Sequence, residues 1–206
     1  MGKLQENLML LRQTRAATLE MVRDLPQERI DRRPSPKDWS VGEVLDHLVK
    51  SGELYRKEIV GLVELARQGK TPYVRKTVQE IDFAPSFLPK SMLPMLDVPF
   101  TMMTMFVPQI MRDTMIRYSS VLKGQTPEIA RPAQGRPAAE LIGELQRSLL
   151  ETEQALSRNA DLDWGAMAIH HPLLGRNNVP QMLRLTAMHE RRHQDQIRAL
   201  LAPRAA

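Results

Sequence analysis

Residues 188–197 read MHERRHQDQI, and two folds compete for them. His189-Glu190-Arg191-Arg192-His193 is an H-E-x-x-H, the zinc-protease signature, in which two histidines one helical turn apart bind the metal and the glutamate acts as base. The same spacing also suits a bundle helix with two histidines in its buried stripe. At 100° per residue, Met182, Thr186, His189, His193, Ile197 and Leu200 fall in one narrow sector, with Leu185 close by. Glu190 lies toward one edge of that sector, and Arg191 and Asp195 lie on the far side. Two stacked histidines inside an apolar stripe each need a partner for their polar nitrogens, and they can chelate one ion. A zinc protease needs a third ligand downstream, yet the 13 residues after His193, QDQIRALLAPRAA, contain neither His nor Glu. The strand that aligns a peptide substrate is missing upstream as well. The protease reading fails, and the third ligand must come from earlier in the chain.

Working outward, four segments have helical period and punctuation. The first covers roughly residues 2–24 and stops before Pro26. The second opens on Ser40-Val41-Gly42-Glu43, a capping box, with Trp39 and Val44 placed as a hydrophobic staple, and runs to about Gln68. The third takes Pro137 as its first position and runs PAAELIGELQRSLLETEQAL to about Arg158. The fourth begins near Asn178-Val179-Pro180 and carries the histidine pair. No sustained strand alternation appears and no internal repeat. Four helices of this length predict an all-α four-helix bundle, one domain over residues 1–206.

Between the second and third helices lies a Met- and Pro-rich insertion, roughly residues 70–135. Its middle, SFLPKSMLPMLDVPFTMMTMFVPQIMRDTM, has an uncharged run of only 14 residues (98–111), broken by Pro99 and Pro108. A membrane span needs about 20 residues, so no membrane span is expected. Packing against the bundle, a homodimer contact and a Met-lined lid over a pocket are its candidate uses.

The composition restricts the chemistry. The chain has no cysteine, which removes disulfides, Cys-ligated zinc, iron–sulfur clusters and a Cys nucleophile. Any thiol must be brought in from outside. Net charge is +5 and the pI about 9.7, but Lys and Arg are scattered among acids without aromatic interleaving. This is a solubilising surface rather than a nucleic-acid footprint. The charged N-terminus lacks a signal-peptide core, so the expected location is cytoplasmic.

The upstream histidines are His47, His170 and His171. His47 stands beside the apolar stripe of the second helix, about two turns from its start, and can face His189 and His193 if the second and fourth helices are neighbours. Three imidazoles from two helices leave positions open for a ligand, the layout of a catalytic metal site. Glu190, Asp46 and Glu43 are near in sequence, but none projects clearly at such a metal.

At this point a resemblance emerges. LPQERIDRRPSPKDWSVGEVLDHL (25–48) and HHPLLGRNNVPQMLRLTAMHERRHQDQI (170–197) resemble, in order and in helical context, two blocks of the DinB-like family of metal-binding four-helix bundles. These are W-S-x-x-E-[VI]-x-x-H, and H-P-x-x-G followed by H-x-x-R-H-x-x-Q-I. The resemblance implies His47, His189 and His193 as ligands of a divalent metal, zinc or nickel. Trp39, Ser40 and Glu43 match the motif around the first ligand, but capping and stapling already give them a structural job. Arg192 and Gln196 match at the edge of the metal face, and either bond around the site, bind an anionic ligand or tie helices together. His171 matches the H-P-x-x-G turn, as a loop cap rather than a fourth ligand. The family's thiol-dependent S-transferases and thiol-using isomerase imply a metal-dependent transferase, with a low-molecular-weight thiol as co-substrate and a small electrophile as substrate. Hydrolysis of a small molecule, or a non-catalytic metal-binding interaction or stress protein, remain the alternatives.

Overall fold

A computed structural model of the chain describes residues 2–77, 108, 110, 111, 114, 130–172 and 174–203. Helix α1 (Lys3–Val22) is followed by a single turn, α2 (Gln27–Asp31), and by the long α3 (Val41–Arg67). Strand β1 (Tyr73–Arg75) comes next, then α4 (Ala138–Arg158), strands β2 (Ala168–His171) and β3 (Gly175–Asn178), and α5 (Val179–Leu201). The four long helices form the expected bundle, α1 lying mainly on α5 and α3 mainly on α4, with α3 also meeting α5.

The helix starts follow local chemistry. Ser40 Oγ accepts from the Glu43 backbone N–H at 3.1 Å, and the Glu43 carboxylate accepts from the Ser40 N–H at 2.9 Å, closing the capping box. Arg33 pairs with the same carboxylate. Asn178 and Gln181 form an equivalent reciprocal box at the start of α5, which registers the helix that carries two of the histidines. Pro137 sits one residue earlier than expected, as the N-cap of α4 rather than its first turn. Replacing Ser40 with Ala should lower stability by about 1 kcal/mol, read as a shift in urea midpoint at unchanged slope. An unshifted midpoint would mean that the cap contributes nothing.

Two features depart from the sequence reading. The one-turn α2 places Ile30 fully in the core, and a three-stranded sheet, order β1-β2-β3, closes one end of the bundle. β1 runs parallel to β2, with Val74 opposite Ile169, and β3 returns antiparallel. Strands of three and four residues are too short to show a period of two. The β2–β3 turn explains the glycine of H-P-x-x-G: Gly175 has φ +69°, a conformation that favours glycine. His171 Nδ1 accepts from the Leu174 N–H at 3.3 Å, as a loop cap does. Most of the Met-rich insertion, and with it the lid and dimer-contact readings, lies outside the described residues.

The core falls into two apolar clusters. One, at the sheet end, gathers Leu8, Leu11, Ile59, Leu62, Met182 and Leu183 with Met167 and Ile169. The other gathers Val22, Ile30, Val44, Leu45, Leu141, Leu145 and Ile197. Between them runs a belt of buried polar side chains: Thr14, Arg15 and Thr18 on α1, His47 and Ser51 on α3, and Glu190, His193 and Gln194 on α5. Burying such groups is unfavourable unless each finds a partner. The candidate site is one half of this belt.

Candidate metal centre

His47 is buried near the start of α3, and His189 and His193 project from successive turns of α5. The three rings meet: His189 Nε2 lies 3.4 Å from His47 Nε2 and 3.2 Å from His193 Nε2. One ligand atom from each of the three residues lies within 4.8 Å of the others. A tetrahedral ion with bonds of about 2.0–2.1 Å holds its ligand nitrogens about 3.3 Å apart, so the spacing suits that ion. Among the described residues this is the set of His and acidic side chains placed to share an ion, and neither His170 nor His171 joins it.

The outer nitrogens decide which way the lone pairs face. His47 Nδ1 is 2.8 Å from the Ala130 carbonyl, and His193 Nδ1 is 2.9 Å from Gln196 Oε1. Both oxygens can only accept, so both Nδ1 atoms carry the proton and both Nε2 atoms present a lone pair to the centre. The Ser51 hydroxyl, 3.4 Å from His47 Nε2, has its proton engaged at the His47 carbonyl, 2.8 Å away. A single proton on His189 Nε2 is then all that a neutral centre can offer to the other two. Three inward nitrogens with at most one proton among them fit a cation. Trp39, whose ring stacks at 15° on His193 and sits 5.1 Å from His47, walls one side. It therefore does more than staple the helix start.

The Ala130 carbonyl is itself held in place. Asp46, fully buried, accepts from Lys50 Nζ at 2.8 Å, from Arg136 Nη1 at 2.8 Å and from the Ala133 N–H at 2.6 Å. Lys50 also donates to the Arg131 carbonyl at 2.7 Å. Asp46 thus fastens the 130–136 stretch to α3 and fixes the acceptor that orients its neighbour His47. Burial alone would raise the Asp46 pKa, but the hydrogen bonds from Lys50, Ala133 and Arg136 bring it below the ordinary value.

Glu190, the glutamate of the H-E-x-x-H string, turns away from the histidines. Rather than lying at an edge it is 1% exposed, with both carboxylate oxygens committed: Arg15 Nε and Nη2 donate at 2.9 Å each, and the Thr18 hydroxyl at 2.6 Å. Arg15 also donates to the Leu145 carbonyl, and Gln194 links the Thr14 carbonyl to Thr18 Oγ1. This half of the belt ties α1, α4 and α5 together. With Glu43 on Arg33 and Asp46 on Lys50 and Arg136, all three carboxylates near the ligands in sequence are neutralised elsewhere.

Burial pushes the His47, His189 and His193 pKa values down, His193 to about 3, and the mutual repulsion of the rings and of Arg192 adds to it. Folded pKa values below the unfolded ~6.5 mean that the unfolded chain binds more protons under acidic conditions. The stability of the metal-free protein, full above pH 6.5, should therefore fall as the pH drops from 7 toward 4.5. Burial places His171 at about 4 and lowers His170 too, which steepens the same slope. The carboxylates with lowered values, Glu43, Asp46 and Asp161, lose theirs only toward the acid end of this window and below it, and Glu58, raised by burial, opposes the slope there without matching five lowered histidines. Urea midpoints measured in chelator between pH 7.5 and 4.5 test this, and a flat profile would contradict it.

A family model described as the DinB superfamily matches residues 10–197, which reach into all four long helices and include all three histidines. No curated protein and no solved structure matches the chain.

Proposed function

The chain belongs to the DinB superfamily, and from that premise we propose that it is a metal-dependent enzyme, a thiol-dependent S-transferase acting on a small electrophile, with His47, His189 and His193 holding zinc or nickel. The observation that carries this reading is the convergence of three Nε2 atoms, with the outer nitrogens of His47 and His193 anchored on Ala130 and Gln196. When bound there, the ion would supply the charge that keeps an incoming thiol deprotonated at neutral pH.

The protein's own part is to hold the rings neutral and oriented, to wall the centre with Trp39, and to keep carboxylates out of it. That last feature favours thiol transfer over hydrolysis. A hydrolase gains from a positioned base, and Glu43, Asp46 and Glu190 are each locked onto a cation. A thiolate needs no such base. With no cysteine in the chain, the sulfur comes from a separate small molecule. Sulfur bonds to the electrophilic carbon, the leaving group departs with its electron pair, and the thiol proton goes to solvent.

The test is a panel of low-molecular-weight thiols with 1-chloro-2,4-dinitrobenzene, given to zinc- and nickel-loaded protein. Turnover that needs both thiol and metal, and that is lost in His47→Ala, supports the reading. Metal-loaded protein that accelerates no thiol above background would overturn it.

A further inference from the structure

Residues 130–136 are held on α3 by a metal ligand and by two side chains within a turn of it. The His47 ring donates through Nδ1 to the Ala130 carbonyl at 2.8 Å, and Lys50 Nζ donates to the Arg131 carbonyl at 2.7 Å. Asp46 accepts from the Ala133 N–H at 2.6 Å and from Arg136 Nη1 at 2.8 Å. The Arg136 guanidinium also pairs with Glu140 and Glu144 in the first two turns of α4. One side chain therefore fixes this stretch against two helices.

A backbone carbonyl is a fixed acceptor only while its peptide is fixed. Ala130 has no polar side chain to hold it, so its place is set by the contacts of Arg131, Ala133 and Arg136. While that carbonyl stays, the proton stays on His47 Nδ1 and Nε2 keeps its lone pair for a metal. When the stretch lifts, the proton is free to move to Nε2, where it blocks a metal bond. The link runs both ways. A cation on Nε2 makes the Nδ1–H a stronger donor, and charge-assisted hydrogen bonds are roughly twice as strong as neutral ones. Whatever factor the seated stretch adds to metal affinity, the metal adds to its seating.

We propose that Asp46 and Arg136 are positioning residues of the metal centre: the pair seats residues 130–136 on α3, and this seating is coupled to metal occupancy through the His47 ring. The inference rests on the metal-site reading above. It makes the end of the Met- and Pro-rich insertion a working part of the centre.

Zinc affinity is measured by chelator competition in the parent, Arg136→Met, Arg136→Lys and Arg67→Met, the last removing the ion pair with Asp161 instead. Amide exchange across residues 130–136 is followed in each with and without zinc. Arg136→Met leaves Asp46 bonded to Lys50, so the fold should stand. Zinc should slow the exchange about tenfold in the parent. Arg136→Met should weaken zinc binding about tenfold and lose most of that slowing. Arg136→Lys, which keeps the charge, should fall between, and Arg67→Met should match the parent. Unchanged affinity in Arg136→Met, or exchange in the parent that ignores zinc, would overturn the proposal and leave the metal site standing. An equal loss in Arg67→Met would overturn it as a general effect of lost ion pairs. Should Arg136→Met fail to fold, Arg136→Lys decides by the same two readouts. A parent that binds no zinc would overturn the metal site and the proposal together.

Discussion

Glu190→Ala should cost the fold about 3–5 kcal/mol, the largest stability loss expected of any single change considered for this protein. The reason is what it leaves behind. Arg15 is only 3% exposed, and removing its carboxylate strands a charged guanidinium between α1, α4 and α5. The Thr18 hydroxyl loses the same acceptor and keeps only the Thr14 carbonyl, 3.1 Å away, while Gln194 still donates to Thr18 Oγ1. Glu190→Gln should fall between parent and Ala, because the amide oxygen still accepts while the charge is gone. The double variant Arg15→Met with Glu190→Met should recover most of the loss, since replacing a buried pair by apolar groups of similar volume is close to neutral. Urea unfolding of the four proteins measures these differences. The reading also separates Glu190 from catalysis: Glu190→Gln, assayed where it is folded, should bind metal as the parent does. A Glu190→Ala protein with the parent's midpoint would remove the belt's structural role.

The second large effect falls on metal affinity. Loss of a partner that orients a ligand typically lowers affinity 10- to 100-fold, and Gln196→Leu should show a loss of that size by freeing His193 Nδ1. Loss of a ligand itself should exceed it. His47→Ala, His189→Ala and His193→Ala should each weaken zinc binding by more than 100-fold, measured by competition against a chromogenic chelator. Their folds should survive, because none of the three histidines belongs to either apolar cluster. His171→Ala, whose ring caps the β2–β3 turn, should bind metal like the parent. Equal loss on replacing His171 would make the three-residue set wrong.

How much of this was legible before the structure depends on how local each signal is. The Ser40 and Glu43 box is written within four residues, and the structure holds it as read. The histidine pair was legible because helical period alone puts i and i+4 on one face. The meeting with His47 depended on α3 and α5 being neighbours, which the bundle supplies. Asn178 and Gln181 form a second box that the same N-cap rule could have found. Glu190 could not be placed from a wheel, since the wheel gives its direction but not that Arg15, 175 residues earlier, waits there. Ala130 offers no sequence signal at all, because its contribution is a backbone carbonyl. The sheet escaped for the opposite reason: its strands are set by pairing between residues 73–75 and 168–178, not by any pattern within them.

The central claim is that three neutral imidazoles, those of His47 and His193 buried and that of His189 half-buried, hold one divalent ion. Elemental analysis of protein purified without a metal-binding tag tests it most directly, with the metal-stripped protein re-exposed to zinc and to nickel in turn. The account predicts about one equivalent of zinc or nickel per chain, recovered on reconstitution. A parent protein that carries no metal and takes up none from either solution would contradict it, and would leave His47, His189 and His193 as core histidines of a bundle with no centre.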